Sequence, residues 1–184
     1  MRVLGISGSL RRGSYNTQLL RAAAAELPPS TRFELYEGLA GLPPYNQDLE
    51  VDAPPAVRRL RRAIAGADAL IISTPEYNAS IPGVLKNAVD WASRPFPDND
   101  LRGKPVAVIG ASTGIFGAVW AQAELRKSLR HAGAHVLDEE LPVGGASEAF
   151  GFDGGLRDPD LRGRLSEVVA ALAREVTAAV EVAA

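Results

Sequence analysis

The residues best suited to chemistry lie near the start of the chain, between a short apolar run and a helical pattern. Gly8 and Gly13 let the backbone approach a ligand or adopt positive φ. Free N–H groups and the dipole at a helix N-terminus favour an anion there. The neutral donors of this stretch are Ser9, Ser14, Asn16 and Thr17, and the cationic ones are Arg11 and Arg12. The stretch predicts a phosphate cradle; the alternative is an ordinary strand-to-helix turn.

The spacing of this stretch indicates which phosphate it would hold. It reads G-x-x-x-x-G-S from Gly8, and Ser14 and Tyr15 stand where a P-loop carries Lys and Ser/Thr. The lysine that reaches the β- and γ-phosphates is therefore missing. The glycines also lack the G-x-G-x-x-G spacing of a dinucleotide turn. The pattern favours one terminal phosphate monoester, as in a mononucleotide.

A second polar turn, Pro75-Glu76-Tyr77-Asn78, follows an apolar run. Its backbone N–H groups could meet the edge of a planar heterocycle. Tyr77 either covers that ring or packs against its own helix. Asn78 carries a donor and an acceptor, so it either reads the ring edge or holds the loop. Glu76 has no acidic partner nearby in sequence, which favours a structural or interface role.

The third polar turn is the segment 112–117, S-T-G-I-F-G. Ser112, Thr113 and Gly114 offer small donors and room for close approach. The alternative is that Ser112 or Thr113 caps the following helix, which is compatible with binding.

Composition excludes several classes of function. The 184 residues are 46% hydrophobic and 23% charged, which is typical of a globular protein in solution. A net charge of −2 predicts no general attraction to nucleic acid or to an anionic membrane. The chain has no cysteine, and its two histidines lack a third ligand, so we expect no metal. No secretory signal or membrane-spanning run is visible, and the expected location is the cytoplasm.

Strand and helix patterns alternate along the whole chain. Strands are predicted at 3–6, 33–36, 68–74, 104–111 and 135–137, and helices at 16–27, 56–65, 84–92, 118–131 and 160–180. Long loops are predicted at 38–55 and 141–156. This alternation predicts a single α/β domain over residues 1–184, with a five-stranded parallel sheet of flavodoxin-like order 2-1-3-4-5. The three polar turns would then meet at the carboxyl ends of strands 1, 3 and 4.

Three motifs resemble the NADPH-dependent FMN reductase family, which includes chromate, quinone and azobenzene-type reductases. They are G-S-L-R-R-G-S-Y-N at 8–16, P-E-Y-N-A-S-I-P-G-V-L-K-N-A-V-D-W at 75–91 and G-A-S-T-G-I-F-G at 110–117. The resemblance covers about residues 1–145. It implies non-covalent FMN. The phosphate would be held by Ser9, Arg11, Ser14, Asn16 and Thr17, and the isoalloxazine by Pro75, Glu76, Tyr77 and Asn78, with Ser112 and Gly114 beside it.

The resemblance also implies the reaction. Hydride would pass from NADPH or NADH to flavin N5, and electrons would go on to a quinone, chromate, an azo compound or free flavin. The flavin carries this chemistry, so no side chain is assigned as catalytic. The family usually forms dimers or dimers of dimers, so we expect a homodimer or homotetramer. Four residues of the second motif would serve that packing: Lys86, Asn87, Asp90 and Trp91.

Two other functions remain as alternatives. One is a flavodoxin-like electron carrier without nicotinamide turnover, which a net charge of only −2 disfavours because such carriers are strongly acidic. The other is a mononucleotide hydrolase, which would need a lysine and Mg²⁺ ligands that the cradle does not provide.

Overall fold

The computed structural model describes the backbone of residues 1–183 and the side chains of residues 1–179. The strands are β1 (Arg2–Ser7), β2 (Arg32–Tyr36), β3 (Ala69–Thr74), β4 (Pro105–Ala111), β5 (His135–Val136) and β6 (Leu141–Val143). The helices are α1 (Tyr15–Glu26), α2 (Pro55–Ala65), α3 (Gly83–Ala92), α4 (Val119–His131), α5 (Ala146–Ala149) and α6 (Pro159–Ala183). Each predicted strand and helix is present, with bounds that shift by a few residues.

The sheet is parallel in the order β2-β1-β3-β4-β5, which confirms the predicted flavodoxin-like topology. The prediction of five strands was incomplete. A sixth strand, β6, lies in the segment 141–156 that we expected to be a loop, and it also pairs with β4. The fifth position of the sheet is thus occupied by two short pieces, β5 and β6.

A buried arginine accounts for the break between these two pieces. Arg126 of α4 is 3% exposed, and its guanidinium donates to the backbone carbonyls of Leu137 and Glu139. These carbonyls lie between β5 and β6, where the ladder leaves them without strand partners. Burial lowers the pKa of the Arg126 guanidinium, and the negative charge of Glu140 partly offsets this decrease. The arginine thereby satisfies backbone groups that would otherwise be unpaired in the interior.

Side chains alternate between two cores, one on each face of the sheet. On β3, Leu70 and Ile72 face the core that includes α2, α3 and α4. Ala69 and Ile71 face the core that includes α1 and α6. This alternation explains why the strands read as continuous apolar runs, since both faces of a doubly covered parallel sheet are buried.

The long loop between β2 and α2 packs on α3 of the same chain. Asn87 accepts from the backbone N–H of Tyr45 at 2.8 Å and donates to the carbonyl of Pro43 at 2.9 Å. The indole of Trp91 is fully buried and donates to the same carbonyl at 2.8 Å. Asn87 and Trp91 therefore have an internal role, contrary to the subunit packing that we expected for them. Lys86 and Asp90 form a surface ion pair at 2.5 Å.

No helix within residues 1–183 is both long enough and apolar enough to cross a membrane.

Candidate functional site

The loop between β1 and α1 ends in a capped helix N-terminus. The hydroxyl of Ser14 accepts a hydrogen bond from the backbone N–H of Thr17 at 3.3 Å, which makes Ser14 the N-cap of α1. The backbone N–H groups of Tyr15 and Asn16, in the first turn, have no carbonyl partner within the helix. The start of α1 therefore presents two backbone donors and the positive end of its dipole to an anion.

Hydroxyl groups from the strand and the helix meet beside this terminus. Thr17 Oγ1 donates to Ser7 Oγ at 2.9 Å, and the backbone N–H of Ser9 donates to the same oxygen at 3.4 Å. Further along the loop, the backbone N–H of Arg11 donates to Ser9 Oγ at 3.4 Å. These bonds fix the curve of the loop.

The side chain of Arg11 is held by its own loop and by the helix. One guanidinium nitrogen donates to the carbonyl of Gly13 at 2.6 Å. The guanidinium carbon lies 4.9 Å from the centre of the Tyr15 ring, within range of a cation–π interaction. The cation is therefore kept at the mouth of the loop.

A cleft of about 290 Å³ opens beside these groups. Ser7, Ser9 and Thr17 line one side, and Arg11 and Arg12 contribute positive charge. Tyr36, at the end of β2, closes the other side. Burial raises the pKa of the Tyr36 hydroxyl, and the positive charge of Arg59 partly offsets this rise. The cleft has the donors and the charge that a phosphate monoester requires.

Asn16 has a different environment from its neighbours in the loop. Its side chain is buried, donates to the carbonyl of Ala111 at 2.9 Å and accepts from Ala111 N–H at 3.0 Å and Ser73 Oγ at 2.8 Å. The amide thus joins α1 to β3 and β4. Only the backbone N–H of Asn16 is left to meet a ligand. The sequence carries a signal for this burial, because positions 16, 19, 20 and 23 have the spacing of one helical face and are all buried.

The second loop forms a tight turn at the end of β3. Tyr77 and Ser80 exchange two backbone hydrogen bonds, at 3.0 and 3.1 Å, around Asn78 and Ala79. Both central residues are left-handed, with φ of 53° and 57°, as a type I′ turn requires. Tyr77 is 55% exposed, so its ring is not packed away against the following helix. The turn leaves the side chains of Tyr77 and Asn78 exposed at the edge of the sheet.

The carboxylate of Glu76 belongs to the next helix rather than to an open site. Its Oε2 accepts from the backbone N–H groups of Trp120 and Ala121, each at 3.1 Å. Helix α4 starts after Ala118, which offers no side-chain cap. Glu76 therefore caps α4 from a different loop, which leaves its backbone for any contact with a ring. This confirms the structural role that the sequence favoured for Glu76.

The third loop is held by β6 and the residues that follow it. The backbone N–H of Ser112 donates to the carbonyl of Val143 at 3.1 Å, and Ala146 N–H returns a bond to the Ser112 carbonyl at 3.0 Å. Gly145 N–H donates to the carbonyl of Gly114 at 3.1 Å. The alternative role of Ser112 or Thr113 as a helix cap is excluded, because α4 begins at Val119.

The three loops adjoin one another because they follow neighbouring strands. The backbone N–H of Gly8 donates to the carbonyl of Ser73 at 2.8 Å, which joins the first loop to β3. A Cβ on Gly110 would lie 2.8 Å from the Thr74 carbonyl oxygen, so β3 and β4 also approach closely at this edge. Apolar side chains stand exposed at the third loop and the start of α4, namely Ile115, Phe116 and Trp120. Among the described residues, no cluster of histidine and acidic side chains has the arrangement of a metal site.

Comparisons with known proteins identify the relatives of this chain. The sequence pattern that defines the NADPH-dependent FMN reductase family matches residues 1–148. An NAD(P)H-dependent FMN reductase from Pseudomonas aeruginosa is 47% identical over 174 residues, which cover 94% of this chain and 93% of that protein. A quinone reductase from Pseudomonas putida is 40% identical over 155 residues, 83% of each chain. The solved structure of FerB, a flavoenzyme NAD(P)H:(acceptor) oxidoreductase from Paracoccus denitrificans, superposes with a TM-score of 0.87 at 39% identity and covers 96% of this chain and 97% of its own.

Proposed function

Because this chain belongs to the NADPH-dependent FMN reductase family, we propose that it binds FMN across its three sheet-edge loops and uses NADPH or NADH to reduce quinone-type acceptors. The chain is an NAD(P)H-dependent oxidoreductase with FMN as its cofactor. We propose in addition which residues bind the cofactor, which acceptor is reduced and how the chain assembles. The observation that carries it is the cleft beside a capped helix N-terminus, lined by hydroxyls and Arg11.

The donor set of the first loop fits the phosphate of FMN. Ser9 and Thr17 offer hydroxyls, and Arg11 offers the cation. Ser14 sets the helix start, which supports the backbone N–H groups of the first turn as further donors to the phosphate. A single phosphate monoester requires about this many donors, which fits a mononucleotide.

The second and third loops fit the isoalloxazine. The backbone of Pro75, Glu76 and Asn78 follows β3 at the sheet edge, where amide groups can meet the polar edge of the ring. Tyr77 can cover part of a ring face, since more than half of its surface is exposed. Ser112 and Gly114 lie in the loop after the neighbouring strand β4, which supports their assignment beside the same ring.

Bound FMN supplies the hydride-accepting atom and the electrons for the acceptor. The chain contributes the position and orientation of the FMN. Its second and third loops would hold the ring at the sheet edge, and its first loop would neutralise the phosphate. No side chain is assigned a proton-transfer role.

The acceptor fits the chemistry of the exposed rim. Tyr77, Phe116 and Trp120 place aromatic surface beside the ring loops, which favours a planar conjugated acceptor such as a quinone. The rings of Phe116 and Trp120 meet edge-to-face with their centres 5.0 Å apart. Relatives of this chain include quinone reductases. Chromate, azo compounds and free flavin are further acceptors to test.

The same rim supports a homo-oligomer, a homodimer or homotetramer, because exposed apolar groups such as Ile115 at 82% are typical of subunit contacts. The proposed location is the cytoplasm, and neither nucleic acid nor a membrane is a proposed partner. Analytical ultracentrifugation of the purified chain gives the oligomeric state directly.

Anaerobic flavin reduction tests the function. The purified chain is titrated with FMN and with riboflavin, and flavin fluorescence is followed. NADPH or NADH is then added without oxygen, and 1,4-benzoquinone last. We expect tight FMN binding, bleaching of the oxidised-flavin absorbance within seconds, and its return with the quinone. Binding without bleaching would instead support an electron carrier.

The variant Arg11→Gln tests the phosphate end of the site. We expect weaker FMN binding and little change for riboflavin, which lacks the phosphate. Arg174→Gln is the matched control, since Arg174 is an exposed arginine on α6. If Arg11→Gln leaves the affinity for FMN unchanged, the assignment of the phosphate to the first loop is wrong.

A further inference from the structure

The segment after β6 contains a side chain that contacts the proposed phosphate site only indirectly. Phe150 lies in the segment 141–156, for which the sequence analysis predicts no role. Its ring is nearly parallel to that of Tyr15, with an angle of 3° between the planes and 6.2 Å between the ring centres. Tyr15 is the first residue of α1, and Arg11 lies over the same ring at 4.9 Å. The Tyr15 ring thus contacts both the Phe150 ring and the Arg11 guanidinium.

Phe150 is fixed by its own surroundings. It is 7% exposed and belongs to the core formed by α1 and α6. An antiparallel bridge joins it to Leu156, and its carbonyl accepts from Arg157 Nε at 2.9 Å. The neighbouring Gly151 N–H donates to the carbonyl of Gly155 at 2.8 Å, which closes the small loop beyond it. The aromatic ring therefore has a rigid base on which Tyr15 can rest.

Arg11, by contrast, is an exposed side chain with many rotamers. A free arginine loses much of its conformational entropy when it binds a phosphate. The hydrogen bond to Gly13 and the face of Tyr15 restrict it before any ligand arrives. Such preorganisation raises affinity because the ordering cost is met during folding.

We propose that Phe150 is a positioning residue for phosphate recognition, which acts by holding the Tyr15 ring on which the Arg11 guanidinium rests. The inference depends on the proposed function, because it assumes that the first loop binds the FMN phosphate. It assigns a role to the segment 141–156: β6 holds the ring loop at one end of that segment, and Phe150 supports the phosphate loop at the other.

The comparison of FMN with riboflavin separates this role from general packing. Phe150→Leu keeps an apolar side chain and removes the ring. We expect FMN to bind about three- to tenfold more weakly, as the loss of one aromatic contact predicts, with riboflavin affinity unchanged. Phe152→Leu is the matched control, since Phe152 lies on the same loop and is fully exposed. It should change neither affinity.

A double-mutant cycle completes the test. In the Arg11→Gln background, Phe150→Leu should no longer change the ratio of FMN affinity to riboflavin affinity, because the guanidinium that Phe150 positions is absent. Tyr15→Leu removes the middle ring and should lower the ratio in the same way, which provides a second route if Phe150→Leu does not fold. Equal weakening of FMN and riboflavin, or no change in either, would overturn the inference.

The outcomes also distinguish this inference from the proposed function. If the unsubstituted chain binds no flavin, the proposed function fails. If the unsubstituted chain prefers FMN over riboflavin, the proposed function stands. If Phe150→Leu and Tyr15→Leu then both leave the ratio of the two affinities unchanged, the role of Phe150 is refuted.

Discussion

Glu76 Oε2 lies 3.1 Å from the backbone nitrogen of Trp120 and accepts its hydrogen bond. The carboxylate comes from the loop after β3, and the N–H belongs to the first turn of α4, 44 residues along the chain. A second bond, from Ala121 N–H, reaches the same oxygen. One side chain thus ties the second loop to the helix that follows the third loop.

Removal of this carboxylate should destabilise the fold. Glu76→Ala takes away the only side-chain acceptor seen at the start of α4 in the described residues, and we expect the free energy of unfolding to fall by about 1 kcal/mol. Glu76→Gln keeps an acceptor oxygen but loses the charge at the helix N-terminus, so its loss should be smaller. Urea unfolding of the flavin-free chain measures both. Glu167→Gln, an exposed glutamate on α6, is the control. Equal stability of Glu76→Ala and the unsubstituted chain would contradict the capping role.

Asn16 should matter more for folding than for phosphate recognition. Asn16→Ala leaves Ser73 Oγ and both backbone groups of Ala111 without their buried partner, which predicts a loss of about 2–4 kcal/mol in the free energy of unfolding. Gln18→Ala, also on α1 but only half-buried, is the control in the same unfolding assay. A small loss for Asn16→Ala would show that the three bonds contribute little.

Gly144 should affect the ring end of the site. A Cβ at this position would overlap the carbonyl oxygen of Ile115, so Gly144→Ala must displace the third loop. We expect FMN and riboflavin to bind about tenfold more weakly, and to the same extent, since the phosphate loop is untouched. Gly163→Ala is the control, because its Cβ would meet nothing within 4 Å. Unchanged flavin affinity in Gly144→Ala would mean that the third loop does not contact the ring.

The contacts of Glu50 with Tyr45, in the same long loop, and with Arg94, just after α3, predict a pH dependence. The Tyr45 hydroxyl, and after it Arg94, lowers the pKa of Glu50 below its ordinary value of 4.5. A carboxyl whose pKa is lowered by folding stabilises the fold above its unfolded pKa, and this contribution is lost as the pH falls through the folded pKa. Tyr45→Phe removes the largest cause, so its destabilisation should be greater at about pH 6 than at about pH 3.

Urea unfolding at the two pH values measures this difference, and Tyr77→Phe is the control, since Tyr77 is exposed in another loop. A destabilisation by Tyr45→Phe that is the same at both pH values would indicate that the lost hydrogen bonds of the hydroxyl, to Glu50 and Arg94, account for the effect rather than a changed pKa of Glu50.

The sequence predicted the sheet order and the meeting of the three loops for a physical reason. Buried parallel strands leave continuous apolar runs, and their carboxyl ends share one edge. Local patterns also predicted the start of α1 to within one residue, although they assigned Ser14 to the phosphate and not to the helix cap that it forms. These features depend on neighbours in the chain, which a sequence displays directly.

Other features depend on residues that are distant in the chain. The cap of α4 comes from Glu76 instead of a residue just before the helix, so no local sequence motif predicts it. Arg126 satisfies carbonyls 11 and 13 residues further on, and this contact is what permits the short strand β6 in a segment that reads as a glycine-rich loop. The stack of Phe150 on Tyr15 likewise joins residues that are far apart in the chain.

The division of the fifth sheet position into β5 and β6 has a consequence for the behaviour of the chain at high concentration. An edge strand with a long row of free backbone groups can recruit a strand from another molecule and start aggregation. Here that edge consists of two residues and three residues, separated by a turn whose carbonyls Arg126 already occupies. An incoming strand would find no continuous partner along this side, which protects this edge of the sheet from edge-to-edge association.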